Sequence, residues 1–278
     1  MKKLIALLLT LVMVLGLCAC DNGPETPEEV LAAATEKMAD MKSAAFSMEI
    51  SMGLKSGGRE FPLSVRGEGE MMTDPQTVHM TMTLDMLILK MTMELYTQAI
   101  ENTVTAYIGL DAGEGMEWFR QAVEVPQNPV VNSVEAMKLI RNLAEAAESV
   151  EMDGIAATRS DGEITGEDIR KAVEGVLGSM DQVMGEEASA AMDEIFGALD
   201  DSVVLPVTYY IDRENLTVME LTMDMTSLLE SLMNLPELQE AGAAFSQMVI
   251  TIRYSELDSV EEIVIPQEAL EAPEIPAA

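Results

Sequence analysis

Hydrophobic positions recur every second residue over much of this chain. Phe46, Met48, Ile50, Met52 and Leu54 alternate with Ser47, Glu49 and Ser51, the spacing of a strand with one apolar and one polar face. Ser56-Gly57-Gly58 is a turn signal, after which Phe61, Leu63 and Val65 keep the alternation. Asp74-Pro75 marks the next turn, and Val78, Met80, Met82, Leu84 and Met86 then share a face opposite His79, Thr81, Thr83 and Asp85. Met91, Met93 and Leu95 give a fourth strand, 104–110 a fifth, and 116–123, with Trp118, a sixth. Six short strands joined by turns predict an antiparallel meander with one buried face. Further strands are predicted at 154–159, at 203–211, through Thr217, Met219, Leu221, Met223 and Met225, and through Met248, Ile250, Ile252 and Tyr254. Pro206 inside the 203–211 run points to an edge strand, because proline cannot donate to a ladder.

Helical periodicity appears in between. Thr26-Pro27-Glu28-Glu29 is a helix start: Thr26 caps, Pro27 suits the first helical position, and Glu29 completes a capping box. Val30, Leu31, Ala34, Met38 and Met41 follow on one face. A helix is predicted over 132–148, with Met137, Ile140 and Ala144 on one side, and another from Thr165 through Ile169, Val173 and Val176. A third covers 186–199, and short helices are expected near 228–233 and 237–245. The stretch 132–201 is thus a helical region between two β-rich parts of a single domain spanning 26–265. The remainder, 266–278, is acidic and rich in Pro and Ala, and is expected to be a flexible tail.

The N-terminus adds an address. Lys2 and Lys3 precede an apolar run, 4–17, that is short for a membrane span and has the flanks of a signal peptide. It ends in Leu17-Cys18-Ala19-Cys20, which resembles the bacterial lipobox: leucine three before, a small residue one before, then the cysteine that is lipidated. Residues 1–19 are therefore expected to be cleaved. Cys20 would become the acylated N-terminus, with 21–25 as a short tether holding the domain at the extracytoplasmic face of a bacterial membrane. Two or three acyl chains, at about 0.8 kcal/mol per buried CH₂, anchor durably.

Composition then narrows the function classes. The chain has 278 residues, 16 Lys and Arg against 49 Asp and Glu, and a net charge of −33. Residues 1–19 hold two lysines and no acid, so without them the charge is −35. Such acidity excludes nucleic acid as a partner, since phosphates need Lys and Arg. Two cysteines exclude a disulfide scaffold, and once Cys20 is modified no thiol is left for nucleophilic or redox chemistry.

A resemblance emerges from order more than from any single motif. A lipobox precedes the Thr26-Pro27-Glu28-Glu29 helix start. A long meander and covering helices come next. The hairpin Tyr209-Tyr210-Ile211-Asp212-Arg213-Glu214-Asn215-Leu216 and the closing Ile252-Arg253-Tyr254-Ser255 and Ile263-Val264-Ile265-Pro266 complete the series. In this the chain resembles the LolA/LppX superfamily of bacterial lipoproteins and lipoprotein carriers. The resemblance implies an α+β fold, an antiparallel β half-barrel with helices covering its concave face, whose hollow side holds acyl chains or other apolar ligands.

The candidate chemistry is sparse. The chain has 24 methionines, and Met48, Met52, Met80, Met82, Met86, Met91, Met93, Met219, Met223 and Met225 fall on the inward registers of the predicted strands. Unbranched and polarizable, methionine adapts to irregular apolar partners. These positions are therefore the expected lining of a pocket for a lipid or acyl chain, or else the ordinary core of an interaction or sensory lipoprotein. Met-x-Met pairs share a strand face, and thioethers suit Cu(I), but such sites usually have His or Cys support. With one His and no free thiol, no metal or cofactor is expected. His79, on the polar face, reads as a lone surface histidine. No nucleophile elbow, dinucleotide fingerprint or phosphate loop occurs, so no enzyme activity and no catalytic residue are expected. Around Gly162 an EF-hand register fails, because Ala157 and Arg159 stand where carboxylates are required. A turn before the Thr165 cap is expected there instead. The sequence names no envelope protein partner.

Overall fold

A computed structural model describes residues 26–56, 59–86, 89–101, 103–111, 113, 115–124, 137–144, 148–171, 197, 202–232 and 244–274. Helix α1 (Pro27–Ala39) begins as its sequence dictates. The Glu29 N–H donates to Thr26 Oγ1 at 3.2 Å and the Thr26 N–H to Glu29 Oε2 at 3.2 Å, so the box serves two amide donors that no helical carbonyl reaches. Six β-strands follow: β1 (Ser43–Ser56), β2 (Arg59–Thr73), β3 (Gln76–Met86), β4 (Leu89–Ile100), β5 (Thr103–Asp111) and β6 (Glu117–Glu124). Then come β7 (Glu148–Met152), β8 (Ile155–Thr165), β9 (Val204–Asp212), β10 (Val218–Asp224), helix α2 (Thr226–Leu232), β11 (Ala244–Ser255) and helix α3 (Gln267–Leu270).

All eleven strands form one open sheet in the order β6-β5-β4-β3-β2-β1-β11-β10-β9-β8-β7, and every adjacent pair is antiparallel. The expected α+β fold built on an antiparallel sheet is what the chain adopts, and among the described residues that sheet is large and open with few helices. Pairing β1 with β11 brings the two β-rich parts of the sequence into a single sheet.

The buried core lies at one end, on the face we call inner. Val30, Leu31, Ala34 and Met38 of α1 pack there with Leu205, Val207, Tyr209 and Ile211 of β9 and Val218 and Leu221 of β10. Each large aliphatic side chain fully buried in this way contributes about 1.5–3 kcal/mol. Met137, Ile140 and Leu143 close the same end. A Cβ at Gly162 would lie 2.6 Å from Ile140 Cγ2 and 2.9 Å from Leu143 Cδ2, so this glycine lets the 137–143 segment sit directly on β8.

Several expectations are corrected. The helix predicted over 132–148 is helical only at 137–138 among its described residues, and β7 starts at Glu148. Asn142 takes a left-handed backbone with φ of 48°. Arg141 exchanges backbone hydrogen bonds with Glu163 at 2.8 and 2.9 Å, a strand-like contact that overrides the helical pattern. Residues 160–164 are not a turn but part of β8. The β8 strand outruns the predicted 154–159, while Thr165 does receive the Asp168 N–H at 3.2 Å at the start of the helical residues 166–171. Strand β9 is not an edge, since it pairs with both β8 and β10. Pro206 lies one residue beyond the last β10 pair, Val207 with Met223, so its missing N–H leaves no gap in that ladder. Phe245 lies in β11 rather than in a helix. The helices predicted over 186–199 and 237–243 lie outside the described residues, apart from the helical Gly197.

The largest correction is at the C-terminus. The expected flexible tail is docked on the outer face through Glu274. After β11 the chain crosses the start of β1, where the Asp258 N–H donates to the Ser43 carbonyl at 2.8 Å and the Val260 N–H to Ser43 Oγ at 3.2 Å. Ala269 of α3, 0 % exposed, then packs with Tyr96, Tyr107 and Trp118. The Arg120 N–H donates to the Pro273 carbonyl at 3.0 Å on the rim of β6.

A bidentate ion pair ties the closed end together: Arg141 Nε and Nη2 each donate to Asp168 at 2.9 Å. The Arg141 guanidinium holds the Asp168 carboxyl below the usual carboxylate range, against the opposing effect of burial. A carboxyl depressed on folding stabilises fully above its unfolded pKa, and that contribution is lost as pH falls through the folded value. Asp168→Asn should therefore melt at a lower temperature than wild type at pH 7. The gap should close as the pH drops below about 4, as read by thermal melts across the acid range. A pH-independent gap would contradict the assignment.

Candidate functional site

The register carries one apolar row after another across the sheet. Phe46 faces Gly69 and Tyr254, Met48 faces Gly67 and Ile252, Ile50 faces Val65 and Ile250, and Met52 faces Leu63 and Met248. Beyond β2, Met82 lies opposite Gly67 and Met93, and Met80 opposite Gly69 and Leu95. Met91 faces Leu84, and Met93 faces Leu110 of β5. Side chains directly opposite one another share a face, so Met48, Met52, Met80, Met82, Met91 and Met93 are brought together on the inner face.

Their burial differs from that of the closed end. Each of these six methionines is only half-buried, as are Ile50, Leu63, Val65, Leu95 and Ile108, whereas the corresponding positions of β9 are buried. The inner face thus has a filled half over β8–β10 and a partly open apolar half over β1–β5. Met223 and Met225 pack against the filled half. Met219 departs from its expected row. The β9–β10 register shifts between Val218 and Glu220, so Val218 and Leu221 face the core and Met219 is the extra residue between them. Met86 lies in β3 opposite Leu89 by its backbone, and its side chain lies outside the described residues, as does Cys20.

Two grooves flank these faces. One, of about 880 Å³, lies at the β1–β2 hairpin and is lined chiefly by outer-face residues such as Ser51, Gly53, Pro62, Ser64 and Arg66, together with Met52 and Leu63. The other, of about 580 Å³, runs along α1 between Leu31, Thr35 and Ala39 on one side and Met137, Ile140 and Leu143 on the other. Met80, Met82, Met91 and Met93 are absent from the described lining of both. Of the six, Met52 alone is in the described lining of either groove. Below α1, the Tyr209 hydroxyl and Ser160 Oγ are buried on opposed residues of β9 and β8, and burial holds the Tyr209 phenol above its ordinary value against the opposing effect of Ser160.

The outer face is polar and largely self-paired. His79 stacks on Tyr96 with ring centroids 4.3 Å apart, and its Nε2 lies 3.1 Å from Glu94 Oε1. The Tyr96 hydroxyl donates to the same carboxylate at 2.9 Å. Burial first, then the Glu94 contact, pushes that phenol well above its ordinary value. His79 is thus a member of an aromatic cluster rather than a lone surface side chain. Arginines pair within the sheet: Arg159 with Glu148 and Asp161, Arg253 with Glu220, and Arg66 with Glu49. Among the described residues no group of three or more His, Cys, Asp or Glu is placed to hold a metal ion, and no helix is long and apolar enough to cross a membrane.

Sequence reasoning overlooked Gly67 and Gly69. Their signal was two successive inner positions of β2 given to glycine between Val65 and Met71, which marks a close approach in a strand. A Cβ at Gly69 would meet Phe46 Cζ at 2.6 Å, and one at Gly67 would meet Met82 Cγ at 3.3 Å and Met80 Sδ at 3.6 Å.

No curated protein matches the sequence. One solved structure with similarity is a DUF1329 family protein from Desulfovibrio piger, 8 % identical, covering 87 % of this chain and 95 % of its own, with a TM-score of 0.26. Another is a domain assigned as an outer membrane lipoprotein-sorting protein from Vibrio parahaemolyticus, 9 % identical, covering 84 % and 95 %, with a TM-score of 0.25. At TM-scores this low, neither neighbour bears on the function of this chain. The family model described as a family of unknown function, DUF6612, matches residues 26–274, from the Thr26 cap to the end of the docked C-terminal segment. The chain belongs to the DUF6612 family.

Proposed function

We propose that this protein is a non-enzymatic lipoprotein, anchored through Cys20 at the extracytoplasmic face of a bacterial membrane, that binds or carries an apolar ligand such as a lipid acyl chain on its inner face. The observation that carries this reading is the half-burial of the methionine and aliphatic rows of β1–β5, next to a closed end whose equivalent positions are buried. An apolar face left partly open beside a filled core is what a ligand-covered surface requires, and flexible methionines suit chains of varied shape. The acidity supports anchoring by acyl chain rather than by charge: Arg66, Arg159 and Arg253 pair with the sheet's own carboxylates, and the net negative surface is repelled by anionic lipid.

Two measurements test it. The full-length chain in mild detergent should take up a fluorescent fatty acid saturably, and Met82→Lys with Met93→Lys should abolish uptake while leaving the circular dichroism unchanged. Uptake by the lysine variant equal to wild type would refute the inner-face site and favour the surface interaction role. For the anchor, Cys20→Ala should move the protein from alkaline-washed membranes to the supernatant. A variant that still sediments would rule out acylation at Cys20.

A further inference from the structure

The space above Gly67 gathers thioethers in a way that pairing alone does not require. The side chains of Met80 and Met82 lie over it, and Met48 flanks it in the register. Met82 and Met48 flank Gly67 from β3 and β1 in a single cross-strand row. Their backbones lie two strand spacings apart, about 9–10 Å, with no side chain between them because the intervening residue is glycine. Met80 belongs to the next row, opposite Gly69, but the space over Gly69 is taken by the Phe46 ring, 2.6 Å from where a Cβ would stand. The Met80 sulfur lies instead 3.6 Å from the Cβ position of Gly67, beside Met82 Cγ at 3.3 Å. Met93, directly across from Met82, extends the row on the far side. All four are half-buried, hence reachable from solvent and shielded from bulk water.

We propose that the glycine-floored cluster of Met48, Met80 and Met82, with Met93 beside it, is a binding site for a soft monovalent cation, Cu(I), coordinated by thioether sulfur alone. Neutral thioethers bind soft, low-charge ions and discriminate against Zn(II), which prefers thiolate, imidazole and carboxylate. The Met80 sulfur lies beside Met82 over Gly67, and the unbranched Met48 and Met82 side chains have the length to bring their own sulfurs to it, an arrangement that fits an ion of low coordination number. Support from His or Cys is not needed where the backbone register supplies the convergence. The polar outer face, with His79 and Glu94, lies on the opposite side of the sheet and takes no part. Binding forms sulfur–metal bonds only and involves no change of oxidation state.

The test uses the full-length chain in detergent under anaerobic, reducing conditions, titrated with Cu(I) against a chromophoric Cu(I) chelator. Wild type should withdraw one Cu(I) per chain, and X-ray absorption of the complex should show a first shell of sulfur only. Met48→Leu and Met82→Leu, close in volume to methionine, should each weaken binding about tenfold or more. The triple variant M48L/M80L/M82L should lose it, with the circular dichroism and the urea midpoint unchanged. Loss of uptake in wild type with Cu(I) retained would leave this site standing and remove only the lipid reading. No withdrawal of Cu(I) by wild type, equal withdrawal by the triple variant, or a nitrogen or oxygen first shell would overturn the proposal.

Discussion

Leu205→Ala should destabilise the fold by about 2–5 kcal/mol. Leu205 is 0 % exposed, lies opposite Ile164 of β8, and sits among Val203, Val207 and the α1 residues of the filled end. Truncation there removes transfer free energy and also leaves a cavity, because α1 and the 137–143 segment, held by the Arg141–Asp168 pair, cannot collapse into it. The half-exposed rows predict the opposite behaviour for Met93→Ala, whose lost contacts are shared with solvent and which should cost about 1 kcal/mol or less. Urea titrations of both variants check this through the midpoint at constant slope. Equal costs for the two would mean that the inner face is one uniform core.

The second large effect is expected at the C-terminal strap. Ala269→Glu places a carboxylate against Tyr96 and Tyr107, where Ala269 is wholly buried. The charge cannot be desolvated there without a partner, so α3 should lift from the sheet. The cost is then limited to what the strap itself contributes, on the order of 2–3 kcal/mol for its two alanines and the flanking Ile263 and Ile265. Trp118, the single tryptophan, lies 6.0 Å from Tyr96 beneath the strap, so its emission should shift to the red in the variant. Glu268→Lys, on the exposed side of the same helix, should leave it unchanged. Unshifted emission in Ala269→Glu would show that the strap does not cover this cluster.

Much of the sheet was legible because its strands obey a strict period of two. The meander from Phe46 to Trp118, the hairpin around Asp212 and the last strand through Ile252 were all readable this way. The Thr26 cap was legible for the same reason, a local pattern with a local cause. What failed depended on distant partners. Asn142 and the backbone pairing of Arg141 with Glu163 broke a convincing helical stripe, and β7 lay hidden beneath it. A Pro- and Ala-rich acidic segment looked unstructured, yet its Ala269 is small enough to lie on two tyrosines far upstream in the sequence. Met219 was assigned to the wrong row because a one-residue bulge, invisible in the alternation, puts Val218 rather than Met219 on the face shared by Leu221 and Met223. The shared face of the six methionines of β1, β3 and β4 follows from their period of two. The glycines that let them converge were not legible, since a missing side chain leaves no mark in a hydrophobic pattern.

Everything proposed about lipid turns on whether the partly open apolar half of the inner face is a ligand surface. Native mass spectrometry of the full-length chain, purified in mild detergent and compared with M82K/M93K, decides it. Wild type should contain a population carrying bound lipid in addition to the covalent acyl chains, and the lysine variant should lack that population. Wild type carrying no lipid beyond its covalent anchor, or lipid retained equally by both, would show that the inner face holds no such ligand.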